Sequence, residues 1–324
     1  MSLRDLRPVD RLDVLVVVDN TTDGLSTTPK HVIPEWAGLL AAGRMAVMSG
    51  EAICHAHHGL SLLVTAHRGA ERRTVLMDAG PEGATFLRNA RILGVDVAGI
   101  DAVVLSHGHW DHGGGLLSAV DAIATGRQGE IETFLHPGMF AQRASKRPDG
   151  TMFVHELLPD PERLAHAGAR PVVTRDPAVI GDGMFWISGE IPRVTAFEAG
   201  LPGHVRRSGD AWEPDPLIMD ERFLAVHVRD RGIVVFSSCS HAGIVNVVTR
   251  AVEQSETPLY GVMGGFHLSG NTEGIIPETL SGLQRFAPKV LAPGHCTGWR
   301  ALSMMARIFA DELVPSAVGK RYLL

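Results

Sequence analysis

The sequence predicts an α/β protein of layered sheets and helices. Short β-branched runs alternate along the chain with stretches of helical period, and several of the strand-like runs end in Gly, Asp, Ser or His. No repeat, low-complexity tract or linker interrupts that alternation, so a single domain is expected over residues 1–324. Strand patterns fall at 13–18, 60–65, 74–77, 102–105, 132–135, 184–187, 223–228, 233–236, 259–263 and 290–292. Helical patterns fall between them at 83–92, 114–124, 138–145, 161–167, 244–254, 277–286 and 299–313. Segments 20–59 and 196–221 lack a clear period and are long for ordinary connections, which marks them as candidate covers for a site.

Composition narrows the function classes. The 324 residues are 45% apolar, enough for a sizeable core. Net charge is −6 with both signs scattered, and the basic clusters "KRP" at Lys146 and "RRS" at Arg206 are too short to track a phosphate backbone. A small molecule is therefore the expected partner rather than nucleic acid. The N-terminal apolar run at 14–18 is too short for a membrane span or a signal peptide. With Cys54, Cys239 and Cys296 too few for a disulfide framework, the expectation is a cytoplasmic protein with no membrane partner. Nothing in the sequence sets the oligomeric state.

The stretch "VVLSHGHWDHGGGL" then stands out, because it places His107, His109, Asp111 and His112 directly behind a strand that ends at Leu105. In an extended segment alternate residues face the same way, so His107 and His109 can converge on one metal while Asp111 and His112 turn toward a second. Gly113, Gly114 and Gly115 let the backbone pack closely as the next helix begins. A histidine-rich surface loop is the bland alternative, and four ligand-type side chains at this spacing argue against it.

These residues resemble the signature HxHxDH of the metallo-β-lactamase superfamily, standing here as His107-Gly-His109-Trp-Asp111-His112. The segments "VLMDAG", "FLHPGMF", "WISGEIPR", "GIVVFSSCSHAGIVN", "YGVMGGFHLSG" and "VLAPGHCTG" are similar to its dihydropterin ribofuranosylaminobenzene-phosphate synthase-like branch, over nearly the whole chain. The resemblance implies an αββα four-layer sandwich with a metal site at one edge of the paired sheets. It also implies that His107, His109 and His241 hold one metal and Asp111, His112 and His295 the other. His241 and His295 each follow a predicted strand, as such ligands should. The superfamily usually supplies a bridging aspartate at the end of a late strand, whereas this chain reads "SSCSH" there, so Cys239 or a water takes that place. The expected cofactor is one or two divalent cations, zinc first because a thiolate favours it, with manganese or iron as alternatives.

Other residues are drawn toward this site. Asp78 closes the strand before "AGP" and is expected to orient a ligand of the signature loop, the alternative being a helix cap near Pro81. His267, among glycines after a strand, is a candidate substrate contact, proton donor or further ligand. His57 with its neighbour His58, His136 and Arg193 are weaker candidates for substrate binding, while His155 and His204 have no supporting context.

Two adjacent cations lower the pKa of a bridging water from about 16 toward roughly 7. Asp111 can take up its proton and His267 can donate one to a leaving group. The expected function is a metal-dependent hydrolase of a small anionic substrate, a phosphoester, lactone or related ester. The alternative is a pterin-related transferase or synthase, or an iron-dependent oxidoreductase, on the same fold.

Overall fold

The valine-rich run Arg11–Val18 becomes the third strand of an eight-stranded sheet in the computed structural model, which describes residues 2–324. In spatial order the strands are Val32–Ile33, Arg321–Leu323, Arg11–Val18, Ser61–Arg68, Glu71–Met77, Ala102–Val104, Ile131–Leu135 and Ala169–Val173. A six-stranded sheet runs Ala178–Ile180, Phe185–Ile187, Leu224–Val228, Gly232–Ser237, Leu259–Gly265 and Val290–Gly294.

The two sheets share one apolar core, in which Val14, Val64 and Met77 of the first meet Phe185, Val226 and Phe236 of the second. Residues on the opposite faces cover themselves with helices. Leu76 and Val103 pack with Phe86 of Gly83–Leu93 and Val120 of Leu116–Arg127. Ile233 and Val235 pack with Val248 of Ile244–Ser255, Leu280 of Ile276–Gln284 and Met305 of Trp299–Ile308. Each strand that alternates toward a sheet and toward a helix is thus buried on both faces, and the result is the αββα four-layer sandwich.

Strand direction decides where the chemistry collects. The last four strands of the first sheet run parallel from Glu71–Met77 onward, as do Gly232–Ser237, Leu259–Gly265 and Val290–Gly294 in the second. Parallel neighbours release their C-terminal ends at the same edge, so residues just past those ends become neighbours.

Where the sequence suggested a helix at 138–145, the chain makes a short 3-10 turn, Pro137–Phe140, and then the strand Arg143–Lys146. That strand belongs to a small four-stranded sheet with Met152–Val154, His204–Ser208 and Ala211–Pro214. The segment 196–221 therefore carries two strands, and 20–59 carries the strand Val32–Ile33 and the helix Glu35–Ala41. The glycines after the signature do allow close approach: a Cβ on Gly114 would lie 1.9 Å from the Pro81 carbonyl oxygen. Among the described residues no helix is long and apolar enough to cross a membrane.

Candidate metal centre

The strand Ala102–Val104 ends just before the signature, and the four-residue helix Trp110–Gly113 turns Asp111 and His112 inward behind His107 and His109. From the other sheet His241 arrives after Gly232–Ser237 and His295 after Val290–Gly294. Ligand atoms of His107, His109 and His241 all lie within 4.8 Å of one another. Asp111 Oδ2 lies 3.4 Å from His295 Nε2, 3.8 Å from His112 Nε2 and 3.4 Å from His58 Nε2. The first triad that the resemblance implied is therefore brought together, whereas in the second Asp111 lies near both His295 and His112 but groups with His58 and His295, and His112 groups with His107 and Cys239.

Hydrogen bonds fix which nitrogen of each ring faces inward. Asp78 accepts from the Ser106 hydroxyl at 2.7 Å, so that oxygen is left to accept from His107 Nδ1 at 2.9 Å. Asp78 Oδ2 also accepts from His112 Nδ1 at 2.8 Å, and Asn20 Oδ1 accepts from His295 Nδ1 at 3.0 Å. With the outer nitrogens occupied, His107 Nε2, His112 Nε2, His295 Nε2 and both nitrogens of His241 are buried without a hydrogen-bond partner among the described residues. Buried polar atoms rarely stay unpaired, and lone pairs converging in this way suit a divalent cation. Burial holds His107, His109 and His241 well below the ordinary histidine range, in the neutral form a cation needs. In His112 burial acts the same way, but Asp111 and the Asp78 hydrogen bond outweigh it and lift the group to about 9.

Buried acids brace the loops from behind. Asp19 Oδ1 accepts from the His295 amide at 2.9 Å, and Glu221 accepts from the amides of His241 at 2.9 Å and Ala242 at 2.6 Å. Asp220 accepts from the Gly108 amide at 2.8 Å and pairs with buried Arg143. Asp78, Ser240, His267 and His295 have φ of 59°, 56°, 44° and 47°, left-handed conformations that non-glycine residues adopt at some energetic cost and that cluster here. The helix Gly83–Leu93 is entered at Glu82, so Asp78 serves the signature loop rather than a helix end.

A cavity of about 430 Å³ opens on this centre, its wall including His58, Trp110, Asp111, Cys239, His267 and Cys296. Cys239 Sγ lies 3.4 Å from His267 Nδ1 and 3.1 Å from Cys296 Sγ. Three residues expected at the substrate are elsewhere. His57 points toward Glu82 at 3.9 Å, His136 accepts from the Gly138 amide and lies 3.3 Å from Glu190, and Arg193 donates to the carbonyls of Ile191 and Leu217. Each satisfies local backbone or a local acid, as isolated polar residues commonly do. The sequence reading missed Asp19 and Asn20, although "VVVDN" is a strand running into polar residues, the same signal used for Asp78. It also passed over His155 and His204, whose ring nitrogens group with His109.

The comparisons agree with this architecture. The metallo-beta-lactamase superfamily model matches residues 56–194, which contain the whole signature. The chain is 31% identical over 271 residues to 7,8-dihydropterin-6-methyl-4-(beta-D-ribofuranosyl)-aminobenzene-5'-phosphate synthase of Methanocaldococcus jannaschii, covering 81% of this chain and 88% of the relative. An uncharacterized protein of the same organism is 27% identical over 266 residues, covering 82% of this chain and 93% of that one. The crystal structure of a metal-dependent hydrolase of the beta-lactamase superfamily superposes with a TM-score of 0.69 at 23% identity, covering 96% of this chain and 98% of the other, a likeness of fold. With its signature, its layers and a relative matched over 81% of its length, the chain belongs to the metallo-beta-lactamase superfamily.

Proposed function

We propose that this protein is a metal-dependent enzyme carrying out group transfer on a pterin-related, anionic substrate, in preference to the hydrolysis expected from the sequence. The observation that carries metal dependence is the set of unpaired, buried imidazole nitrogens of His107, His112, His241 and His295, the last two of which line the cavity. In this reading His107, His109 and His241 hold one cation, and Asp111, His112 and His295 hold another. When bound, such cations supply Lewis acidity and a more acidic water.

The chain's own residues do the rest. Asp78 and Asn20 keep the inward nitrogens aimed by holding the outer ones of His112 and His295. In the same reading Asp111, facing the cavity beside His58, takes a proton from an entering group. His58 and Trp110 stack with centroids 5.9 Å apart, offering flat surfaces against which a planar heterocycle can lie.

The substrate class rests on the relative, whose name describes a product that joins a dihydropterin to a ribofuranosylaminobenzene phosphate. A phosphate suits a cationic centre in a protein whose net charge of −6 offers no general attraction for anions. The test is to give metal-loaded protein a dihydropterin bearing a leaving group on its 6-methyl carbon together with a ribofuranosylaminobenzene 5'-phosphate. A joined product by mass spectrometry, abolished by chelator and by His107→Ala, is the expected result. Turnover of phosphodiesters, phosphomonoesters, lactones or thioesters without any joined product would restore hydrolysis. Failure to take up metal would remove both.

A further inference from the structure

We propose that Cys239, Cys296 and His267 form a cation position of their own, for a thiophilic divalent ion such as zinc, adjoining the histidine centre and open on one side to the cavity. The inference goes beyond the pterin reading and needs no particular reaction.

Topology brings the three together. Gly232–Ser237, Leu259–Gly265 and Val290–Gly294 are adjacent parallel strands, and Cys239, His267 and Cys296 each stand two residues past the end of one of them. Gly265 keeps the space clear, since a Cβ there would lie 2.7 Å from Cys296 Sγ. The three ligand atoms lie within 4.8 Å of one another, with Sγ to Sγ at 3.1 Å and Sγ to Nδ1 at 3.4 Å. Zinc bonds of about 2.3 Å to sulfur and about 2.0 Å to nitrogen in a tetrahedron require about 3.8 Å between sulfurs and about 3.5 Å from sulfur to nitrogen. Separating the two sulfurs by about 0.7 Å, with Sγ to Nδ1 already close to the required distance, therefore converts the observed contact into a site with three protein ligands and a free fourth position.

The environment is wrong for two cysteines that merely fill space. Cys54 packs in an apolar cluster with Leu39, Met45, Ile92 and Val318, whereas Cys239 and Cys296 lie on the polar cavity wall, next to His267 and His295. Charge gives the reason. Asp111 is the one carboxylate on that wall among the described residues, the other ring donors there being neutral or cationic imidazoles. Two thiolates and a neutral imidazole would balance a dication, which an imidazole set cannot do, and burial makes that balance matter. Cys239 also groups with His107 and His112, so its sulfur links the new position to the histidine centre.

Cobalt(II) reports on the ligands directly. Protein stripped by chelator and reduced with a phosphine under anaerobic conditions is titrated with cobalt, following thiolate-to-cobalt charge transfer in the near ultraviolet and ligand-field bands in the visible. Wild type should show both. Cys239→Ser/Cys296→Ser should lose the charge-transfer band and about one cobalt per chain while keeping visible bands. Circular dichroism checks the fold, and Cys296→Ala replaces a serine variant that does not fold; the wild-type spectrum needs no variant at all. Cobalt bound with visible bands but no charge transfer would overturn this proposal alone and leave the histidine centre standing. An unchanged spectrum and stoichiometry in Cys296→Ser would reduce Cys239 to a ligand of the histidine centre and overturn the separate position. No cobalt uptake would overturn both.

Discussion

His109 Nε2 faces His204 Nε2 at 2.9 Å, although His109 stands in the signature loop and His204 opens a strand of the small sheet. His204 Nδ1 lies 2.9 Å from the Asp215 carbonyl oxygen, which can only accept, so that nitrogen carries the ring proton. Burial holds His204 down to about 4, so the ring is neutral and its Nε2 accepts from His109. His109 is thereby left with Nδ1 as its lone pair for a cation. Replacing His204 with Ala should weaken cation binding about 10- to 100-fold with the fold intact, and His204→Gln, which retains an acceptor, should recover part of it. Titration of the stripped protein with zinc measures this, and an unchanged affinity in the Ala variant would show that His109 needs no such partner.

Asp78→Asn is the cleaner probe of the acid that holds the signature loop, because φ of 59° suits Asn and would strain Ala. The amide keeps the shape but loses the charge that faces His112 and accepts from Ser106. Cation affinity should fall about 10- to 100-fold while circular dichroism stays the same. Equal affinities in the variant and wild type would confine Asp78 to a structural role.

His241 has both ring nitrogens buried and unpaired among the described residues, and a cation in the cavity it lines would take the lone pair of one of them. His241→Ala should lower bound metal by about one ion per chain at limiting concentration, with partial recovery in excess metal. Elemental analysis of the dialysed protein decides, and a full complement in the variant would remove His241 from the ligand set.

Asp220 and Arg143 are both almost fully buried, and Asp220 also holds the Gly108 amide. Asp220→Ala leaves the guanidinium charge without its main partner, which should cost about 3–5 kcal/mol of stability. Urea unfolding of the two proteins tests this. A loss below about 1 kcal/mol would mean that Asp215, 3.6 Å from Arg143, suffices as counter-ion.

The small sheet shows where sequence reading failed. Its strands Arg143–Lys146 and His204–Ser208 read "RASK" and "HVRRS", with too few apolar residues to display a period of two. They are strands because each finds the other, Val205 opposite Ala144, and that pairing joins segments far apart in the chain. His204 was illegible for the same reason: nothing near it in sequence announces a partner 95 residues away.

What the sequence determined by itself was local in origin. Periodicity specified the central strands of the two large sheets and the helices that cover them, and hence the layers, because each of those elements must bury its own apolar face. The spacing of His107, His109, Asp111 and His112 likewise marked the centre, since one turn of chain holds all four. The tertiary structure alone decided which strand ends meet. It set Asp19 against the His295 amide across 276 residues, left His57, His136 and Arg193 outside, and aligned Cys239, His267 and Cys296 on three parallel strands. Those relations depend on strand order and direction, which follow from the packing of the whole chain rather than from the pattern within any one segment.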